Sequence, residues 1–246
     1  MDIKNLVRAG LNHLHLDLTK NLEYDRLTKA VMKKVIRTDS NCIDVGCHKG
    51  EILEIMLKLA PDGKHFSFEP IPDFYENLKE NYGDLVSVYP YALAGQVGTT
   101  SFNYVRNAPA YSGIKERKYD TATPEIEQIQ VEMQSLDNII PKSTRIDFIK
   151  IDVEGGEYGV LKGGEELIKH NKPVIIFEYG LGASDYYGTL PGDMFELVVN
   201  HLGLNISLLK RFIKNNEPLN MKEFEGYYYS NREYYFIAYP SEESSD

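Results

Sequence analysis

A chain of 246 residues with 42% hydrophobic and 26% charged residues is long enough to bury one large α/β core. Its formal net charge of −10 makes phosphate backbones and anionic lipid surfaces poor default partners, so neither nucleic acid nor membrane is expected. No run approaches the roughly 18 apolar residues of a membrane span, no charged start and apolar core mark a signal peptide, and the two cysteines, Cys42 and Cys47, read as reduced thiols of a cytoplasmic protein.

Residues 1–38 read as a helical extension, with Leu6, Leu14, Leu18, Leu22, Leu27, Val31 and Val35 recurring near helical spacing. A short apolar strand at 42–45 runs into Gly46, a helix follows over 51–59, and Pro61-Asp62-Gly63 stops it. The cycle repeats as a strand at 65–69, a helix at 73–81 and a strand at 85–89. Residues 97–105 and 126–133 alternate in the β manner and predict an inserted hairpin. A strand at 146–151, a helix at 158–169 and a strand at 174–177 come next, then a helix at 191–201 and strands at 205–209 and 234–239. This alternation requires a Rossmann-like, doubly wound, mostly parallel sheet with helices on both faces. No linker divides it, so residues 1–246 are expected to form a single domain: 1–38 the extension, 40–180 the catalytic core, 181–246 the part nearer the second substrate.

In such a sheet, ligands bind beyond the carboxyl ends of the strands. Gly46 and Gly50 bracket the first strand-to-helix turn, where glycine admits unusual dihedrals and close approach of a ligand, and the helix start favours a negative group. Asp44 is placed to meet an ammonium or a water beside it, and Glu69 to accept two ribose hydroxyls. A dinucleotide fingerprint needs three glycines as G-x-G-x-x-G; D-x-G-x-x-x-G favours S-adenosyl-L-methionine over a nicotinamide cofactor.

The segment Asp147-Phe148-Ile149-Lys150-Ile151-Asp152-Val153-Glu154-Gly155-Gly156-Glu157, continued by Leu161-Lys162-Gly163, resembles the FkbM family of methyltransferases. Phe68-Glu69-Pro70, Tyr91-Ala92-Leu93, Ser135-Leu136-Asp137 and residues 173–178 agree with it, so the resemblance covers about residues 40–180. It implies a seven-stranded methyltransferase sheet and methyl transfer from S-adenosylmethionine, usually to a hydroxyl of a sugar, glycan or secondary metabolite. The cofactor-binding residues expected on this basis are Asp44, Gly46, Cys47, His48, Gly50, Glu69, Pro70 and Ala92. Cys47-His48 departs from the family's usual Ala-Asn, which alters the local hydrogen bonding.

Asp152 and Glu154 are the candidate catalytic residues, orienting or deprotonating the acceptor hydroxyl. The competing reading is that Asp152 meets backbone amides and that Glu154 or Glu157 favours a helix start. Glu178 is placed to complete an acidic cluster that binds a polar acceptor, with magnesium the lesser alternative, and no metal ligand set is assigned. His48 is either a turn residue or a base. Tyr186-Tyr187 and Tyr227-Tyr228-Tyr229 stay open between ligand stacking and core or oligomer contacts. A small-molecule or glycan acceptor is the expected partner, and a homodimer is compatible with the chain. An NAD-dependent oxidoreductase and a cofactor-binding module without catalysis are the competing functions.

Overall fold

The computed structural model describes residues 20–117, 119 and 123–241. The described part of the expected helical extension is α1, Lys20–Val35; its residues before Lys20, including Leu6, Leu14 and Leu18, lie outside the described residues. In chain order there follow β1 Cys42–Val45, α2 Glu51–Leu59, β2 His65–Phe68, α3 Pro72–Tyr82, β3 Val86–Tyr89, β4 Tyr91–Leu93, β5 Gly98–Val105, β6 Ile126–Gln134, α4 Leu136–Ile139, β7 Phe148–Ile151, α5 Glu157–Gly163, α6 Glu165–Asn171, β8 Val174–Glu178, α7 Pro191–Phe195, β9 Asn205–Leu208, α8 Leu209–Ile213, α9 Met221–Ser230 and β10 Tyr235–Tyr239. Among the described residues no helix is long and apolar enough to cross a membrane.

Seven strands form one sheet in the order β3-β2-β1-β7-β8-β10-β9. The run from β3 to β8 is parallel, and β10 is antiparallel to both of its neighbours. Every residue of β1, β2 and β7 is buried, as central strands covered on both faces must be. The period of two sorts their side chains. Cys42, Phe148, Ile176 and Ile237 pack with Tyr24, Leu27 and Val31 of α1, Leu53 and Met56 of α2, and Leu209 of α8. Ile43, Ile149, Ile175 and Phe236 face the opposite way, with Val160, Ile168, Met194 and Phe224.

The expected hairpin is present as β5 and β6, antiparallel from Gly98 opposite Met133 to Val105 opposite Ile126, and β4 adds to β6 in parallel to make a separate three-stranded sheet. The single helix expected over 158–169 is two, broken at Gly164, where a Cβ would lie 2.9 Å from Leu136 Cδ1. Asp137 caps the second, its carboxylate accepting from the amides of Glu166 (3.0 Å) and Leu167 (2.8 Å). Tyr227 to Tyr229 lie on α9. That helix starts in a capping box, with Asn220 Oδ1 accepting from Glu223 N and Glu223 Oε2 from Asn220 N, both at 3.0 Å.

Candidate active site

On the face of the sheet covered by α1, the apolar positions give way to charged ones toward the carboxyl ends of the strands. Cys42 is followed two residues on by Asp44, Phe148 by Lys150 and then Asp152, and Ile176 by Glu178. Tyr235 precedes Ile237 on the antiparallel β10, and Glu178 and Tyr235 are direct register partners. Strand periodicity alone thus brings four acids or bases and a phenol to one end of one face.

They border a cavity of about 850 Å³, walled by residues from α1, the turns after β1, β2, β7 and β8, β4, the 109–117 loop and the start of β10. Of the residues expected to bind a cofactor, Asp44, Gly46, Cys47, His48, Glu69, Pro70 and Ala92 line it. Gly50 does not: it precedes the first turn of α2, and a Cβ there would meet Leu78 and Tyr82 of α3. Its place is in helix packing, not at the cavity surface.

Two glycines are dictated by close approach. Gly46 has φ +76°, and a Cβ would fall 1.9 Å from the Asp152 carbonyl oxygen. Gly155 has φ +105°, and a Cβ would lie 2.5 Å from the Ala183 carbonyl. The first lets the β1 turn pass against the β7 turn; the second lets the β7 turn pass against the loop after β8. Between them Glu154 takes φ +57°, a conformation that costs a non-glycine residue about 1 kcal/mol or more.

Glu69 follows β2 and is 4% exposed. One oxygen accepts from His48 N at 2.8 Å and the other from Ile71 N at 3.0 Å, which ties the β1 turn to the β2 turn. Burial pushes its carboxyl up to about 7 despite these two donors. Asp44 is also raised to about 7 by burial, with Lys150 opposing and Asp152 adding to the rise. Its Oδ2 is buried without a hydrogen-bond partner, and a carboxylate oxygen in that state is ready for a cationic ligand group. The His48 ring stands edge-on to Phe74 at 4.4 Å, with Nε2 also buried and unpaired. Burial and Lys49 lower its pKa and keep it neutral.

Asp152, Glu154 and Glu178 come together as the sequence led us to expect, with a carboxylate oxygen of each within 4.8 Å of the others. Asp152 does not bind backbone amides through its side chain. Its Oδ2 accepts from Lys150 Nζ and from Tyr235 Oη, each at 2.8 Å, and among the described residues nothing donates to Oδ1. Burial raises this carboxyl, but the Lys150 charge, the two hydrogen bonds and Arg117 outweigh it and hold the group below the usual aspartate range. Glu154 forms an ion pair with Arg117, whose guanidinium also lies 5.4 Å from the Tyr111 ring centroid. Burial, then the charges of Asp152 and Glu157, push Glu178 up to about 8 against Lys150 and Arg117. Glu157 is fully buried beneath the turn, where its Oε1 accepts from the amides of Val153 (3.1 Å) and Gly155 (3.2 Å); it shapes the loop rather than the cavity wall.

Sequence reasoning missed Arg117 and Tyr235. Arg117 lies in a loop without periodicity and carried no signal. Tyr235 did carry one: two residues before Ile237 on a strand, it shares that residue's face. Tyr187, one of the open tyrosines, lines the cavity and accepts from Lys115 N at 3.4 Å. Tyr227, Tyr228 and Tyr229 do not line it; Tyr228 packs on Tyr179 in the core.

Residues 44–203 match the family profile described as Methyltransferase FkbM domain. A 2-O-methyltransferase, NoeI of Sinorhizobium fredii (strain NBRC 101917 / NGR234), is 26% identical over 192 residues, covering 70% of this chain and 75% of that protein. Methyltransferase sdnD of Sordaria araneosa is 26% identical over 155 residues, 50% of this chain and 60% of that one. Among solved structures, Methyltransferase FkbM from Methylobacillus flagellatus KT shares the fold at a TM-score of 0.51 and 14% identity, covering 89% of this chain and 52% of that chain.

Proposed function

The chain belongs to the FkbM methyltransferase family, and from that premise we propose that its cavity holds S-adenosylmethionine beside a hydroxyl acceptor carried on a sugar, glycan or related metabolite. The observation that carries this reading is the juxtaposition, in one cavity, of the Asp44-to-Glu69 turns with the Asp152–Glu154–Glu178 cluster. The residues suit the cofactor. The buried, unpartnered Asp44 Oδ2 would accept from its ammonium, Glu69 would take the ribose, and Gly46, Cys47, His48, Pro70 and Ala92 would form the adjoining wall. An excess of carboxylates suits a sulfonium and repels an anion at the reacting centre.

When bound, the cofactor supplies an electrophilic methyl group on positive sulfur. The protein's task is to hold an acceptor oxygen in line with it and to take up its proton. Asp152 is the group for that task, because Lys150 and Tyr235 keep it ionised and fix one oxygen while the other is unoccupied. Glu154, pinned by Arg117, orients the acceptor, with Tyr111 and Tyr187 as the apolar surfaces on which a sugar ring rests. We treat the whole chain as one domain acting in the cytoplasm. Residues 181–246 form the acceptor side, a reading supported by Leu181, Ala183, Tyr187, Asn231, Tyr234 and Tyr235 at the cavity wall.

The test is transfer of labelled methyl from S-adenosylmethionine to a panel of methyl glycosides and sugar nucleotides, with calorimetric titration of S-adenosylhomocysteine and NAD. Tight NAD binding without a response to S-adenosylhomocysteine would refute the reading in favour of an oxidoreductase. Asp152→Asn and Glu154→Gln should each lower turnover far more than cofactor affinity. Unchanged turnover in both removes the assigned roles.

A further inference from the structure

Helix α1 lies outside the segment that matches the family, yet Asn21, Tyr24, Asp25 and Thr28 line the cavity. Their spacing of three, four and seven residues places them on one helical face. Near its start this face is tied to the strand that carries Tyr235. Asn21 Oδ1 accepts from Tyr234 Oη at 2.8 Å, Tyr24 donates to Glu233 Oε2 at 2.8 Å, and the Tyr24 ring stacks on Tyr235 at 4.7 Å. One turn further along, Thr28 is 1% exposed and its Oγ1 has no hydrogen-bond partner.

That is unusual for a helical threonine, which can return its hydroxyl to the carbonyl four residues back, here that of Tyr24. The next turn, Val31 and Met32, enters the core with Leu53 and Met56 of α2, the helix that the Gly46 turn leads into. Thr28 therefore stands at the end of this face nearest that packing, in the wall of the same cavity as the Asp44–His48 turn. Asp44 Oδ2, on the sheet face that α1 covers, is a second buried polar atom with no partner. A hydroxyl able to donate and a carboxyl oxygen that, once ionised beside a cation, can only accept, both unsatisfied, match the two ends of an amino-acid zwitterion.

We propose that Thr28 is a cofactor-binding residue, its hydroxyl donating to the carboxylate of the methionine moiety while Asp44 receives the ammonium. This rests on the reading that the cavity takes S-adenosylmethionine. The probes are S-adenosylhomocysteine, which carries the amino-acid end, and 5′-methylthioadenosine, which keeps the nucleoside and thioether and lacks it. By calorimetry, Thr28→Val weakens S-adenosylhomocysteine about tenfold (1.4 kcal/mol) and leaves 5′-methylthioadenosine within twofold, while Thr28→Ser restores the first. Without ligand, Thr28→Val melts no lower than the parent, because a methyl replaces an unpaired hydroxyl; Thr28→Ala gives the same ligand contrast if the valine does not fold. Parental affinity for S-adenosylhomocysteine in both variants, or equal losses for the two ligands, overturns the assignment. Failure of the parent protein to bind either ligand instead overturns the cofactor reading itself, and this assignment with it.

Discussion

Raising the pH from 6.5 to 8 should destabilise the ligand-free protein. Asp44, Glu69 and Glu157 are held at about 7, and Glu178 at about 8, chiefly by burial, whereas in the unfolded chain such groups ionise near 4. A raised acid pKa means that the native state keeps protons that the unfolded state has lost. The stabilisation is complete below the unfolded pKa and disappears as pH rises through the folded one. The opposing groups act lower down. His48 and His65 are lowered by burial, so their favourable contribution grows as the unfolded imidazoles lose their protons around pH 6.5 and gives back only a small part of the loss above it. Asp152, Glu165 and Glu233 are depressed, and their contribution is already full by then. Between pH 6.5 and 8, Glu178 accounts for a loss of about 2 kcal/mol and each of the other three for just under 1, about 4 kcal/mol together. For a chain of this size that lowers the melting temperature by roughly 10 °C. Thermal and urea melts at half-unit pH intervals measure it. Glu178→Gln should flatten the largest part of the slope. A melting temperature that is constant or rising over this interval would refute the argument that these carboxyls are buried at the expense of their charge.

Tyr235→Phe keeps the ring stacked on Tyr24 and removes one of the two donors to Asp152, so turnover should fall about tenfold with S-adenosylhomocysteine affinity unchanged; steady-state kinetics on a methyl glycoside substrate, beside calorimetry, would show this. Gly46→Ala forces a Cβ against the Asp152 carbonyl at a positive φ, and should cost about 3 kcal/mol in urea unfolding and more than tenfold in S-adenosylhomocysteine affinity. Addition of a chelator should leave turnover unchanged, because Lys150 and Arg117 already supply counter-charges to Asp152 and Glu154. Loss of activity restored by magnesium would show that a cation joins them.

The parallel core was legible because its strands are short, apolar and separated by amphipathic helices, and the two ends of the candidate site were legible because both lie in local motifs. What escaped depends on contacts distant in sequence. The break at Gly164 comes from the approach of Leu136, and α9 is weakly amphipathic, with three consecutive tyrosines obscuring its period. The antiparallel insertion of β10 is a tertiary choice that no local pattern encodes. Thr28 carries no signal in the sequence, and only its burial without a partner separates it from a solvated helix residue. The pairing of Lys150 with Asp152, two residues along the same strand face, follows from the strand period once the strand is placed.

The order of strands also bears on how the chain matures during synthesis. Because β10 lies between β8 and β9, β9 has no neighbour to pair with until residues 235–239 have left the ribosome, and the phenol that donates to Asp152 arrives with the same strand. A nascent chain can assemble β1, β2, β3, β7 and β8 earlier, but it would then carry an unprotected edge at β8 beside an incomplete pocket, the kind of exposed edge that chaperones recognise. Strand β10 thus both closes the sheet and brings the phenol to Asp152, so a product truncated before residue 235 would keep the β1 and β2 turns of the cavity without that hydrogen bond.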